Sequence, residues 1–421
     1  MDFQDERTSA PTPPSEVEFV VVGAGLAGLA AALTLHRAGR EVLILERDES
    51  VGGRVRTDLE DGYVLDRGFQ VLLTAYPEVA RHIDLDALDL RPFVRGVNVW
   101  DNGSFTELSD PRRSLTALVG GLRTQVLTTR DRVRFLKLAV RLLTSKHGFL
   151  GREDDCSTGE FLETLRFSDR SIEKLWEPLL SGIQLTPSLE GSARLACLIL
   201  RCLLVGPAAV PARGMQEIPN QMAAGLPRGS VHVGVEVEKI NGSEVFLSTG
   251  EVTAARRVIV ATEQPAAARL LKGESFEGRA QWHAYFSATE APSKSEAIHL
   301  LPSAQGPCRN IAIMSNVAPE YAPQGSVLIV AAGPTSGRES HLVEAREQLV
   351  HVFGHQAQSW ELIKQGIVEH AQPMFVPGAN FRRQIRSDQQ IVVAGDHRTT
   401  PSIQGALVSG RLAALEAIHE Q

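Results

Sequence analysis

The chain has 421 residues, 43 Lys and Arg against 50 Asp and Glu, and a formal net charge of −7. That balance leaves no electrostatic footprint for nucleic acid, and the length supplies two or three domains' worth of chain with ample core. The four cysteines (Cys156, Cys197, Cys202, Cys308) form no CxxC pair and no Cys/His cluster at metal-ligand spacing, so we expect no metal site and reduced, partly buried thiols in a cytoplasmic protein.

Residues 1–15 are polar, contain three prolines and lack the apolar core of a secretory signal, which reads as a disordered tail. No stretch approaches the roughly 18 apolar residues of a membrane span. The longest, 195–210, is interrupted by Arg201 and Gly206-Pro207.

The most informative segment follows the tail. A short apolar strand over 19–22 runs into Gly23-Ala24-Gly25-Leu26-Ala27-Gly28, then an Ala- and Leu-rich helix that ends near Gly39, then a second strand over 42–45 that delivers Glu46. Each part suits a dinucleotide: Gly23 for the tight turn, Gly25 for close approach of a pyrophosphate, Gly28 for helix–sheet packing. The free N–H groups at Leu26 and Ala27 face the phosphates, and Glu46, about 20 residues on, accepts from the adenosine ribose. NAD and FAD share this fingerprint.

After Glu46 comes Arg47, then Gly52-Gly53-Arg54, a flexible loop that can lay a guanidinium on phosphate oxygens. This placement resembles the second signature of the flavoprotein superfamily of amine oxidases, protoporphyrinogen oxidases and phytoene desaturases. Three further segments are similar to that superfamily. Tyr63 to Gln70 looks like its Asp-x-Gly turn, with Gly68, Phe69 and Gln70 leading toward the flavin. Residues 231–240 and 257–262 look like later flavin-domain strands, with the backbone of Val237 at the adenine and Thr262 at the strand end. Gly395-Asp396 and Pro401-Ser402-Ile403-Gln404-Gly405-Ala406 look like its closing motif, where the Asp binds the ribitol and the last helix faces the isoalloxazine. The matches run from residue 18 to 417 in family order. The resemblance implies FAD, held without a covalent bond because no cysteine stands in the closing motif.

These motifs fall in three blocks, 16–95, 210–280 and 381–421, which would form a discontinuous Rossmann-like FAD-binding domain. Residues 96–209 and 281–380 would form an inserted substrate domain, a mixed sheet under a helical cap, so the fold class is α/β. Residues 110–205 read as helical, apart from turn signals at 148–151 and 186–187. Strands are expected over 299–302, 311–314 and 327–331, and a helix over 341–353. Residues 132–150 interleave Arg132, Arg134, Lys137, Arg141 and Lys146 with Phe135, Leu136, Leu138 and Leu142. Such a basic amphipathic helix suits peripheral contact with an anionic membrane, or packing of one face on a helical cap.

Flavin chemistry needs no nucleophile triad, and no catalytic side chain is assigned. His283, His299 and His397 are weighed as neighbours of the flavin against surface or satisfied core positions, and of the three only His397 is placed by a motif. No second GxGxxG occurs, so the reduced cofactor would be reoxidised by oxygen, a quinone or another acceptor rather than by NAD(P)H chemistry. Amine oxidases of the superfamily flank the flavin with an aromatic pair, one member just before the closing Gly-Ala, where this chain has Ile403-Gln404. The closing sequence looks more like the desaturase and porphyrinogen-oxidase branches. The leading expectation is therefore an FAD-dependent oxidoreductase acting on a largely apolar small molecule such as an isoprenoid, polyene or porphyrinogen. A flavin amine oxidase is the second reading, and a non-enzymatic lipid- or prenyl-binding protein on the same fold is the third.

Overall fold

The computed structural model describes residues 12–101, 103–109, 125–144, 154–275, 277–337, 339–383 and 388–419. The run Phe19-Val20-Val21-Val22 lacks apolar–polar alternation because both faces of its strand, Glu16–Val22, are covered. Phe19 and Val21 enter one core cluster, and Val17, Val20 and Val22 enter another. Parallel neighbours flank it, Val42–Leu45 on one side and Val252–Val260 on the other. Val231–His232 extends the parallel sheet at one edge and Ile391–Val393 at the other. An antiparallel hairpin, Val237–Asn241 with Glu244–Leu247, hangs from the start of Val252–Val260.

Helix Leu26–Arg37 and the closing helix Ile403–His419 lie side by side on this sheet. Small residues set their spacing: a Cβ added at Gly410 would stand 2.0 Å from the Ala27 carbonyl oxygen. That close approach brings the two helix N-termini to the same edge of the sheet.

The second sheet has the order Glu361–Pro373, Gly278–Ala288, Val327–Thr335, Asn310–Ile313, Ile298–Leu300, Gly96–Asp101, Ser104–Ser109. All its pairings are antiparallel except that of Ile298–Leu300 with Gly96–Asp101. Alternation along one strand separates its faces. Val99 packs with helices Thr129–Thr144, Glu177–Gln184 and Ala193–Val205, while Trp100 packs with helix Leu342–Phe353.

Elements expected over 299–302, 311–314, 327–331 and 341–353 occur as Ile298–Leu300, Asn310–Ile313, Val327–Thr335 and Leu342–Phe353. The third strand runs on to Thr335 because its neighbour, Gly278–Ala288, continues the ladder. Two long strands, Gly278–Ala288 and Glu361–Pro373, have no counterpart in the sequence reading. Polar residues interrupt the apolar pattern of both, and their mutual pairing carries bulges.

The amphipathic segment is helical over Thr129–Thr144, and its continuation over 145–150, like residues 1–11 of the expected tail, lies outside the described residues. The end of that tail is engaged by the first sheet. The Ala254 N–H donates to the Ser15 carbonyl at 2.8 Å, and Thr253 Oγ1 donates to the Pro14 carbonyl at 2.9 Å. All four cysteines are free thiols, three of them buried. Among the described residues no helix is long and apolar enough to cross a membrane.

Candidate functional site: a cofactor groove opening into an apolar cavity

A single cavity of about 1160 Å³ runs from the carboxyl edge of the parallel sheet to the helices over the second sheet. At its sheet end Gly23, with φ +100°, turns the chain from the first strand into helix Leu26–Arg37. Gly25 caps that helix without a side-chain hydrogen bond, and no acid stands in the first turn. The N-terminal N–H groups therefore remain available to an anion. A Cβ added at Gly25 meets nothing within 4 Å, so the backbone there is open to the cavity. Gly23, Gly25, Leu26 and Ala27 line the wall.

Gly28 does not line it. A Cβ at Gly28 would lie 1.9 Å from the Gly23 carbonyl oxygen, so this glycine serves turn and helix packing behind the wall. Gly52 and Gly53 lie against Gly25, with positive φ of 120° and 59°, and both face the cavity.

Glu46 follows the second strand directly and is buried. Its Oε2 accepts from Ala24 N–H at 2.6 Å and its Oε1 from Asp48 N–H at 3.0 Å. Each carboxylate oxygen has a second acceptor position, so a ribose hydroxyl can still be received. Arg47 lines the cavity from an exposed position, and Val237 and Thr262 line it from the hairpin and the strand end. Thr262 Oγ1 is buried without a hydrogen-bond partner, and a buried hydroxyl of that kind calls for a ligand or a water.

Arg54, expected on phosphate oxygens, has three protein partners in this structure. Its Nη2 donates to Asp396 Oδ1 at 2.7 Å, and its Nη1 donates to the Ala371 carbonyl at 2.8 Å and to that of His370 at 3.3 Å. The guanidinium thus faces the cavity while clamping the strand Glu361–Pro373 to the turn that follows the last parallel strand.

Phe69 and Gln70 line the cavity, and Gly68 supports them from behind with φ +95°. Gln70 Nε2 donates to the carbonyls of Arg54 and Arg67 at 2.7 and 2.8 Å, and Phe69 N–H donates to Gln281 Oε1 at 2.8 Å. Sequence reasoning missed this buttress. Gln281 and Tyr285 sit on the unassigned strand Gly278–Ala288, and Tyr285 Oη donates to the Asp66 carbonyl at 2.8 Å. The Asp66 carboxylate is itself buried and receives Thr57 Oγ1, Met215 N–H and Tyr321 Oη at 2.6, 2.8 and 2.9 Å. Burial pushes its pKa up to about 6 against these donors. The signal available was Asp66 itself, at the head of the Asp-x-Gly turn.

Gly395, Asp396, Ser402, Ile403 and Ala406 also line the cavity. Ser402 Oγ accepts from Gly405 N–H at 3.1 Å and starts the closing helix, whose positive end therefore points into the groove. Gln404 is turned away: its Oε1 accepts from Glu78 N–H at 2.9 Å, because the next helical position rotates the side chain off the cavity face.

None of the three histidines lines this cavity. His283 and His299 are core residues, and burial lowers the pKa of each to about 4. His397, also lowered to about 4 by burial, lines a separate cavity of about 340 Å³ behind Arg54 and Asp396.

Beyond the nucleotide residues the wall becomes apolar, with Phe93, Phe135 and Trp176 set among aliphatic side chains. Leu138, Ala139 and Leu142 of helix Thr129–Thr144, Leu175 and Leu179, and Ile199, Leu200, Leu203 and Leu204 of helix Ala193–Val205 enclose it. The segment 195–210 thus contributes both core packing and cavity lining.

The open backbone at Gly25, the uncapped helix N-terminus and the orphaned Thr262 hydroxyl fit a dinucleotide pyrophosphate. The second helix N-terminus at Ile403 fits the electron-rich end of a flavin ring. Comparison with known proteins agrees with that fit. The family model for flavin-containing amine oxidoreductases matches residues 26–418. An L-amino-acid oxidase of Sistrurus catenatus edwardsii is 39% identical over 101 residues, 24% of this chain and 19% of its own length. Protoporphyrinogen oxidase 2 of Arabidopsis thaliana is 42% identical over 64 residues, 15% of this chain and 13% of its own length. These alignments thus span less than a quarter of the relatives' lengths. The crystal structure of an oxidoreductase from Methanosarcina mazei superposes with a TM-score of 0.73 at 20% identity, over 95% of this chain and 100% of that one, which establishes the shared mixed α/β fold. With the family model matched across almost the whole chain, the protein belongs to the flavin-containing amine oxidoreductases and is an FAD-dependent enzyme.

Proposed function

We propose that this enzyme oxidises a largely apolar substrate at carbon, of the isoprenoid, polyene or porphyrinogen kind. The observation that carries the reading is the change in character along the cavity wall. Its acids, Glu46, Asp48, Glu236, Glu263 and Asp396, all belong to the first sheet and its loops, and the far wall is mainly leucine, isoleucine and valine, with Phe93, Phe135 and Trp176 among them. A protonated amine would need a carboxylate beside the reacting carbon. The closing helix starts instead at Ile403, after Pro401 and Ser402, with no acid in its first turn. A hydrophobic solute loses nothing by leaving water for such a wall, and each buried methylene contributes about 0.8 kcal/mol.

In this reading the parallel-sheet segments, 16–95, 210–280 and 381–421, hold the cofactor, and 96–209 with 281–380 enclose the substrate. The Gly23–Gly28 turn, Glu46, the paired glycines and Thr262 hold the dinucleotide, Arg54 and Asp396 fix the seam between the two sheets, and the aliphatic wall orients the substrate and excludes water. Bound FAD supplies the acceptor for the two electrons, formally a hydride, that leave the substrate. Oxygen, a quinone or another acceptor then takes those electrons from the enzyme, since the chain carries one dinucleotide fingerprint.

Anaerobic mixing of the yellow enzyme with a panel of reductants tests the reading. An isoprenoid, polyene or porphyrinogen should bleach the flavin absorbance, and primary amines, polyamines and amino acids should leave it unchanged. Rapid bleaching by an amine, with ammonia or an aldehyde released, would establish the amine oxidase reading instead.

A further inference from the structure

Helix Thr129–Thr144 presents three stripes with different chemistry. Leu138 and Leu142 are buried and pack among the helices over the second sheet, and the Asp131 carboxylate, also buried, is held by Thr128 and Ser168. Val133, Leu136, Val140 and Leu143, at spacings of three, four and three, form an exposed apolar ridge, with Leu136 64%, Val140 53% and Val133 49% exposed. Arg130, Arg134, Lys137 and Arg141, at spacings of four, three and four, form a basic stripe beside that ridge.

Among the described residues ten large apolar side chains are exposed, and five of them, Phe135 included, stand on this one helix. A solvated helix that merely packed its inner face would carry polar residues outside. The chain as a whole has a net charge of −7, so this stripe inverts the local sign even with Arg134 paired to Asp131 at 3.4 Å. The helix has one acid, and it is the buried Asp131.

We propose that this outer face docks on an anionic lipid bilayer, with the apolar ridge in the acyl boundary and the basic stripe on the headgroups. Charge selects this occupant over a second copy of the chain. A two-fold contact would set the patch against itself, and the helix offers no exposed acid to meet its own cations. Leu136, Val140 and Leu143 also line the large cavity, so its aliphatic end opens through the docking face. An apolar substrate would enter from lipid without crossing water. That last step rests on the proposed substrate class; the docking does not.

The FAD-loaded full chain should co-float with vesicles of phosphatidylcholine and phosphatidylglycerol at least about tenfold more than with phosphatidylcholine alone, and salt of about 0.5 M should reduce the difference. Val133→Glu with Leu136→Glu, and separately Arg130→Glu with Lys137→Glu, should each lower flotation by about tenfold or more while flavin absorbance is retained. Val343→Glu, at a 69% exposed apolar position on helix Leu342–Phe353, should float as the parent does. If the ridge variant does not retain flavin, the charge reversal alone decides. Three results would overturn the proposal: no flotation of the parent, flotation unaffected by the retained variants, or a dimer in solution that the ridge variant disperses without any vesicle binding. Because no substrate is added, the result is independent of the bleaching experiment above.

Discussion

Arg54 and Asp396 are 342 residues apart in sequence and meet at 2.7 Å. Arg54 stands on the paired-glycine loop after the second parallel strand, and Asp396 on the turn after the last. The same guanidinium donates to the Ala371 carbonyl in the second sheet. One side chain thus ties three distant segments at the point where the cofactor groove meets the apolar cavity.

Replacing Arg54 by Ala leaves the largely buried Asp396 carboxylate without its cation. With Arg54 itself 31% exposed, we expect a loss of about 1–3 kcal/mol, below the cost of breaking a fully buried pair. The purified variant should be mostly apoprotein. Arg47 is 53% exposed, and Arg47→Ala should keep its flavin. The ratio of flavin absorbance to protein absorbance reads both, and equal loss would remove the special position of Arg54.

Two glycines of one motif should fail in different ways. Gly25→Val should fold, since its backbone is extended and a Cβ there meets nothing, but the branched side chain would stand where the pyrophosphate lies. Gly28→Ala should impair folding itself, because its Cβ would strike the Gly23 carbonyl oxygen. Circular dichroism with flavin content separates the two. Full flavin occupancy in Gly25→Val would displace the phosphate site.

Asp66 should make stability fall as pH rises. Its pKa is about 6 in the folded protein and about 3.9 in an unfolded chain, so the folded state binds the proton more tightly. The advantage is fully present below the unfolded value and is lost as pH rises through 6, a change of about 3 kcal/mol. Asp66→Asn keeps an oxygen for Thr57 and Met215 and does not titrate. Thermal melts from pH 4.5 to 7.5 should show the parent losing ground to Asp66→Asn toward higher pH. Parallel curves would contradict the shift.

Leu203→Gln puts an amide on the aliphatic wall at a half-buried position. It should keep its flavin and raise KM for an apolar reductant about tenfold, the effect of losing roughly 1.5 kcal/mol of apolar contact. An unchanged KM would mean that the substrate does not occupy this end of the cavity.

The cofactor end of the protein was legible in the sequence because its determinants are local. Gly23, Gly25 and Glu46 act within one strand–turn–helix–strand unit, so spacing along the chain is spacing in space. Continuous apolar runs marked the parallel strands because both their faces are buried. The two long strands Gly278–Ala288 and Glu361–Pro373 escaped notice because polar residues and bulges break their period. With them went Gln281 and Tyr285, whose roles depend on a turn more than 200 residues away.

The partners of Arg54 were equally hidden. A loop sequence shows that a guanidinium is present and mobile, and only the packing of two sheets decides which carboxylate and which carbonyls it reaches. Likewise, the pattern of helix Thr129–Thr144 established that it is amphipathic and basic, which suits either a buried cap or a surface. Tertiary structure decided that the residues facing outward are the apolar ridge and the cations, because the apolar residues that the helix buries are Leu138, Ala139 and Leu142. Local chemistry fixes what a segment can do, and long-range packing selects which face is left to do it.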